Sequence, residues 1–138
     1  MSRTLRLTVF TLGALLWLSG VLWLVAHVFL AQQNSWGPLP NKWEPVLLHL
    51  HGLLAVGGVF LLGWLVAAHL SGRWRNERRR YSGFLLAGSA ALLVVSGYAL
   101  YYTIGALHGA ASWVHECLGV AAVFAALPHW WRAHPPSS

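Results

Sequence analysis

Acidic residues are scarce in this chain: three Asp and Glu in 138 residues, against nine Lys and Arg and eight His. Charged residues make up 9% and hydrophobic residues 57%, whereas a soluble domain carries about a quarter charged. So few charges, with a mean hydropathy of +0.58, exclude an ordinary soluble surface and point to a bilayer as solvent. The single cysteine, Cys117, stands in an apolar run, so neither an internal disulfide nor a Cys-based zinc site is available. The motif C-x-x-C-H is absent, which excludes covalent attachment of a c-type haem. A net charge of +6 raises nucleic acid as a partner. The arginines flank long apolar spans, however, where they set topology, and no nucleic-acid partner is expected.

What is present is apolar length. Four stretches are almost free of Asp, Glu, Lys and Arg, near 7–31, 45–71, 82–104 and 112–131, each long enough to cross roughly 30 Å of hydrocarbon as a helix. The first is too long for a signal-peptide core and no A-x-A-like site follows it, so it reads as a retained helix. Pro45 suits a first helical turn and Ser112 an N-cap. Short connections predict one domain, 1–138, all-α: an integral membrane up-down four-helix bundle. Arg3, Arg6, Arg73, Arg75, Arg78, Arg79, Arg80 and Arg132 then fall on one side and Lys42 alone on the other. The positive-inside rule places both termini and the Arg-rich loop in the cytoplasm. Trp36, Trp43, Trp74, Trp113, Trp130 and Trp131 lie near helix ends, as interfacial aromatics do. No convincing sequence repeat stands out, although helices 2 and 4 share a pattern.

That pattern concerns histidine. Ionisable residues within spans are rare and usually mark function. His51 and His69 are 18 residues apart, and His115 and His129 are 14 apart. At 3.6 residues per turn each pair shares a helix face. Between the first pair lie Ala55, Gly58, Leu62 and Leu65; between the second lie Gly119, Ala122 and Ala126. Small residues one turn from an imidazole leave room for a flat macrocycle between two axial ligands. Helices 2 and 4 run in the same direction, so His51 is expected to face His115 near the outer side and His69 to face His129 near the inner side. This predicts two bis-histidine haems b, or one, with Gly58 and Gly119 clearing space and Arg73 and Arg75 near the inner propionates. The spans within the pairs differ, ~27 Å against ~21 Å, which leaves open a swapped ligand at one end. His27, His49 and His108 remain competitors as ligands, propionate partners or proton carriers. Against haem stands a plainer reading. Small residues let membrane helices approach, and single histidines hydrogen-bond across helices. Glu116, beside His115, reads either as a proton relay or quinone contact, or as an acid favoured by the helix macrodipole. Ser96 and Gly97, followed by Tyr98, Tyr101 and Tyr102, read as close packing against a cofactor or against a helix.

The segments L-H-G-L-L-A-V-G-G around His51, A-A-H-L-S-G-R-W around His69, V-S-G-Y-A-L-Y-Y in helix 3 and W-V-H-E-C-L-G-V-A-A-V-F-A-A-L-P-H around His115 and His129 resemble bacterial b-type cytochromes of the cytochrome b561 kind. The likeness covers helices 2 to 4. It implies electron transfer across a bacterial inner membrane, with quinone and a redox protein or larger membrane complex as partners. By position it carries axial roles to His51, His69, His115 and His129. An electron-transfer protein is favoured over a stand-alone oxidoreductase of the superoxide oxidase or ferric reductase type. A non-redox accessory subunit of a larger membrane complex is the third reading.

Overall fold

A computed structural model describes residues 3–67 and 80–133, the side chains of 33, 38, 80–82, 125 and 127–133 excepted. Four helices and one small β-hairpin follow in the order α1 (Arg3–Phe29), β1 (Gln32–Asn34), β2 (Gly37–Leu39), α2 (Glu44–Leu65), α3 (Arg80–Tyr102) and α4 (Gly105–Ala133). The chain divides into two compact units, Met1–Leu61 and Leu62–Ser138.

The fold is helical, as the apolar runs predict. Helices α1, α2 and residues Gly83–Tyr102 of α3 are long and apolar enough to cross a membrane. Four such spans are expected from sequence; among the described residues α4 is not one of them. Its 29 residues include His108, His115, Glu116 and His129, which dilute its apolar character.

Burial is inverted relative to a soluble protein. Among the described residues the buried ones are Ala26, Ser19, Glu44 and Ser96, three of them polar. Large apolar side chains face outward instead, with Phe60 78%, Leu53 72% and Phe124 69% exposed. In water these faces would be unsheltered apolar patches. In a bilayer the lipid tails cover them, and close approach of helices depends on small and polar contacts instead.

The element boundaries have local causes. Asn41 and Glu44 form a reciprocal cap at the start of α2. The Trp43 N–H donates to Asn41 Oδ1 at 3.0 Å, and the Asn41 N–H donates to Glu44 Oε1 at 2.6 Å. Each satisfies a backbone donor that the first turn leaves over. Pro45 follows in that first turn, where its missing N–H is no loss. Helix α1 stops at Phe29 because the chain turns into β1, antiparallel to β2 with Gln32 opposite Leu39 and Asn34 opposite Gly37. Ser35 and Trp36 make the tip, where the Trp36 N–H donates to Asn34 Oδ1 at 2.8 Å. Gly37 closes the turn at φ +117°, a backbone state that glycine reaches without a Cβ penalty.

Helix α3 ends where the Thr103 backbone N–H and hydroxyl both donate to the Ala99 carbonyl, at 2.9 and 2.8 Å. Gly105 then takes φ +62° and α4 begins at once. The expected start near Ser112 is therefore too late. Residues 105–111 are helical, and His108 lies in α4 rather than in a connection. The Ser112 hydroxyl donates to Glu116 Oε1 at 2.5 Å, one turn on, and caps nothing. Glu116 is accordingly far from the helix start, and a macrodipole role falls away.

Candidate functional site: two helix-bound histidines

Two histidines are held across helices by the same set of atoms. In the first unit His51, on α2, meets α1. Its Nδ1 lies 3.0 Å from Ser19 Oγ and 3.1 Å from the Leu16 carbonyl oxygen. In the second unit His115, on α4, meets α3. Its Nδ1 lies 3.1 Å from Ser96 Oγ and 3.1 Å from the Leu93 carbonyl oxygen. Each serine also bonds back along its own helix, Ser19 to the Leu16 carbonyl at 2.9 Å and Ser96 to the Leu92 carbonyl at 2.7 Å.

A glycine follows each serine and makes the contact sterically feasible. A Cβ on Gly20 would lie 3.1 Å from His51 Cε1, and one on Gly97 would lie 3.0 Å from His115 Cε1. Only a bare Cα lets the imidazole lie this close to the facing helix. The three elements, leucine carbonyl, serine hydroxyl and glycine surface, form a receptor for one edge of the ring.

These contacts expose a repeat that inspection of the sequence passes over. The receptor reads L-W-L-S-G at 16–20 and L-V-V-S-G at 93–97, and no other Leu-x-x-Ser-Gly occurs in the chain. The histidine side reads H-G-L-L-A-V-G-G from His51 and H-E-C-L-G-V-A-A from His115. Ser19 and Gly20 attract no notice in sequence because the histidine of their own helix, His27, stands two turns away. The clue was available in the identical L-x-x-S-G step on helices 1 and 3.

The small residues beside the histidines meet leucines of the partner helix. A Cβ on Gly58 would come within 2.8 Å of Leu16 Cδ1, and one on Gly119 would lie 3.9 Å from Leu93 Cδ2. The histidines expected as competitors are placed as follows. His49 is exposed, its ring bonded to the Pro45 carbonyl of its own helix at 2.6 Å. His27 stacks on Trp23, with ring centroids 4.9 Å apart and planes 9° apart. Its Nδ1 lies 3.0 Å from Glu44 Oε2, which ties the end of α1 to the start of α2. Lys42 stands over the Trp43 ring at 5.7 Å. Tyr98 and Tyr102 pair with ring centroids 4.5 Å apart and are exposed. His69, Arg73 and Arg75 lie outside the described residues, as does the His129 side chain.

The expectation of haem b is corrected by this donor set. Among the described residues no three or more His, Cys, Asp or Glu side chains are grouped so as to hold a metal ion. Haem b, as two groups or as one, is withdrawn as a resident cofactor.

No family model matches the chain, and neither a curated protein nor a solved structure matches it. Nothing in these comparisons identifies a cytochrome b561-like protein.

Proposed function

We propose that this chain is a multi-pass subunit of a bacterial inner-membrane electron-transfer assembly, in which His51 and His115, each within its own hairpin, contact quinone head groups while a redox protein partner takes or supplies the electrons. The observation that carries this reading is the duplicated, half-buried imidazole contact. Ionisable groups in apolar helices are costly, and this chain gives two of them the same serine, leucine-carbonyl and glycine contacts. His51 stands ~10 Å and His115 ~15 Å along their helices from the N-terminal ends, within reach of a head group near an interface. In this reading both termini and the Arg-rich segment 73–80 face the cytoplasm, because Lys42 is the only Lys or Arg on the opposite side.

One observation favours a second reading, an accessory subunit without redox chemistry. Each histidine already bridges two helices, so its contribution can be to packing alone. Photoaffinity labelling separates the two. Membrane vesicles containing the tagged chain are irradiated with an azido-quinone. The quinone reading expects labelled peptides from α2 and α4, reduced at least several-fold in the double variant His51→Asn, His115→Asn. Labelling no stronger than that of an unrelated membrane protein, or labelling unchanged in the double variant, overturns it in favour of the accessory role.

A further inference from the structure

Two tryptophans in the α1–α2 connection are presented by the same kind of turn. The Trp36 N–H donates to Asn34 Oδ1 at 2.8 Å, and the Trp43 N–H donates to Asn41 Oδ1 at 3.0 Å. In each, an asparagine closes a turn on the backbone two residues ahead, as short amide side chains do. Asn-x-Trp occurs nowhere else in the chain. The carboxamide oxygen turns to the backbone and the indole is left outside: Trp36 is 95% exposed and Trp43 56%. Phe29 and Leu30, where α1 ends, and Leu39, at the end of β2, are exposed in the same stretch. Lys42 is the only charge between residues 30 and 43, and its Nζ lies 5.7 Å from the Trp43 ring centroid. The one acid of the first unit, Glu44, is buried and paired with His27.

We infer that the α1–α2 connection is a lipid-interface anchor, in which the two Asn-x-Trp turns seat Trp36 and Trp43 in the head-group layer of the bilayer. Position is the first ground. The connection joins the ends of two helices that are each long and apolar enough to span, so in a bilayer it begins and finishes at the membrane surface. Strands of three residues reach ~10 Å, against a head-group layer of ~5–8 Å on each side. The tip therefore stays near lipid. Stability is the second ground. A lone two-stranded hairpin is marginal in water, and this one has a ladder of only three residue pairs. A layer of lower dielectric strengthens its hydrogen bonds. Chemistry is the third. Indole is an apolar body with one N–H, suited to head-group level. Lys42 adds a cation for head-group phosphate, and no exposed acid of the unit opposes it. A soluble protein docked on Trp36 is the competing occupant. Hot-spot tryptophans of that kind are ringed by contacts that exclude water, whereas Trp36 stands on a narrow tip between Ser35 and Gly37. The anchor does not depend on the quinone contacts proposed above.

The test is the depth of the hairpin tip in the full chain, reconstituted in vesicles of phosphatidylcholine and phosphatidylglycerol. A nitroxide is attached at Ser35→Cys in a Cys117→Ser background. Electron paramagnetic resonance then measures its collisions with oxygen, which partitions into lipid, and with a water-soluble nickel chelate. The same label at Phe60→Cys, exposed within α2, marks the hydrocarbon, and a labelled soluble peptide marks water. The tip label is expected to be shielded from nickel several-fold relative to the peptide, though less than the label at position 60. Trp36→Ala and Trp43→Ala are each expected to raise its nickel collisions, Trp36→Ala the more because residue 36 stands at the tip. Asn34→Ala is expected to act in the same direction by less, since the indole stays while its turn is loosened. A tip label as open to nickel as the peptide overturns the inference and makes Trp36 a surface for a soluble partner. Depth unmoved by both tryptophan variants overturns the anchoring role of the indoles, and depth unmoved by Asn34→Ala overturns that of the turn. Should Trp36→Ala not fold, the tip label with Trp36 intact decides the depth and Trp43→Ala decides the role of indole. Failure of quinone labelling leaves these collision rates unaffected, so the two proposals fail separately.

Discussion

The α1–α2 hairpin and the α3–α4 hairpin make the same polar contact with very different tethers. In the first, 32 residues separate Ser19 from His51, and the connection holds a β-hairpin, the Asn41–Glu44 cap and the His27–Glu44 pair. In the second, 19 residues separate Ser96 from His115, and the turn is a two-residue break closed by Gly105. The receptor geometry nevertheless agrees within 0.1 Å at both Nδ1 contacts. The contact is thus a property of the facing helix surfaces. Connections fix only which helices are neighbours, and they tolerate wide variation in length because loop closure grows slowly with it.

The comparison is broken most forcefully by filling the glycine surfaces. Gly97→Val and Gly20→Val are expected to drive the ring off its acceptors and to destabilise the respective hairpin by roughly 1–3 kcal/mol, the usual range for overpacking. The measurement is an SDS-unfolding midpoint in mixed micelles. Equal losses from both variants would confirm equivalent sites, while a loss confined to one would show that the hairpins differ in function. Ser19→Ala and Ser96→Ala rank next, at about 1 kcal/mol each, measured in the same way. Their effects should be alike, since each serine holds one imidazole and one turn of its own helix.

Glu44→Ala sharpens the contrast from the other side, because the second hairpin has no counterpart. It removes the acceptor of the Asn41 N–H and the partner of His27. Faster proteolysis within residues 30–44 is expected, with the His115 NMR signals unchanged. A shift of the His115 signals would contradict independence of the two contacts. The smallest effect belongs to Ser112→Ala, which deletes one bond to Glu116 within α4. A loss of about 0.2–0.5 kcal/mol is expected, as for other side-chain pairs one helical turn apart. A larger value, by the same SDS titration, would mean that Glu116 depends on Ser112 for its position.

Much of the architecture was legible without coordinates. The apolar runs located α1, α2 and α3, because helix is the form in which a segment satisfies its own backbone in lipid. The start of α2 followed from Pro45. The start of α4 did not, since His108, Gly109 and Ser112 imitate a loop and a cap while Gly105 carries the actual turn. The β-hairpin was also hidden: Q-Q-N and G-P-L carry no strand signature, and the pairing arises from the turn at Ser35 and Trp36. For the candidate site, His51 and His115 stood out in the sequence, but as expected haem ligands, with histidine as a bond between helices the plainer reading set against haem. Its partners were not. Ser19 and Ser96 are separated from their histidines by a whole connection, and helical periodicity compares positions within one helix only.

The sequence by itself determined that this chain seeks a bilayer, in helices. Charge content and hydrophobic length are sums over residues, and sums are visible in a string. The tertiary structure decided what the scarce polar groups do. It brought a serine and a leucine carbonyl of one helix to a histidine of the next, at hydrogen-bond distance and over a glycine. That outcome depends on how two helix surfaces meet, a relation that the order of residues along either helix does not state.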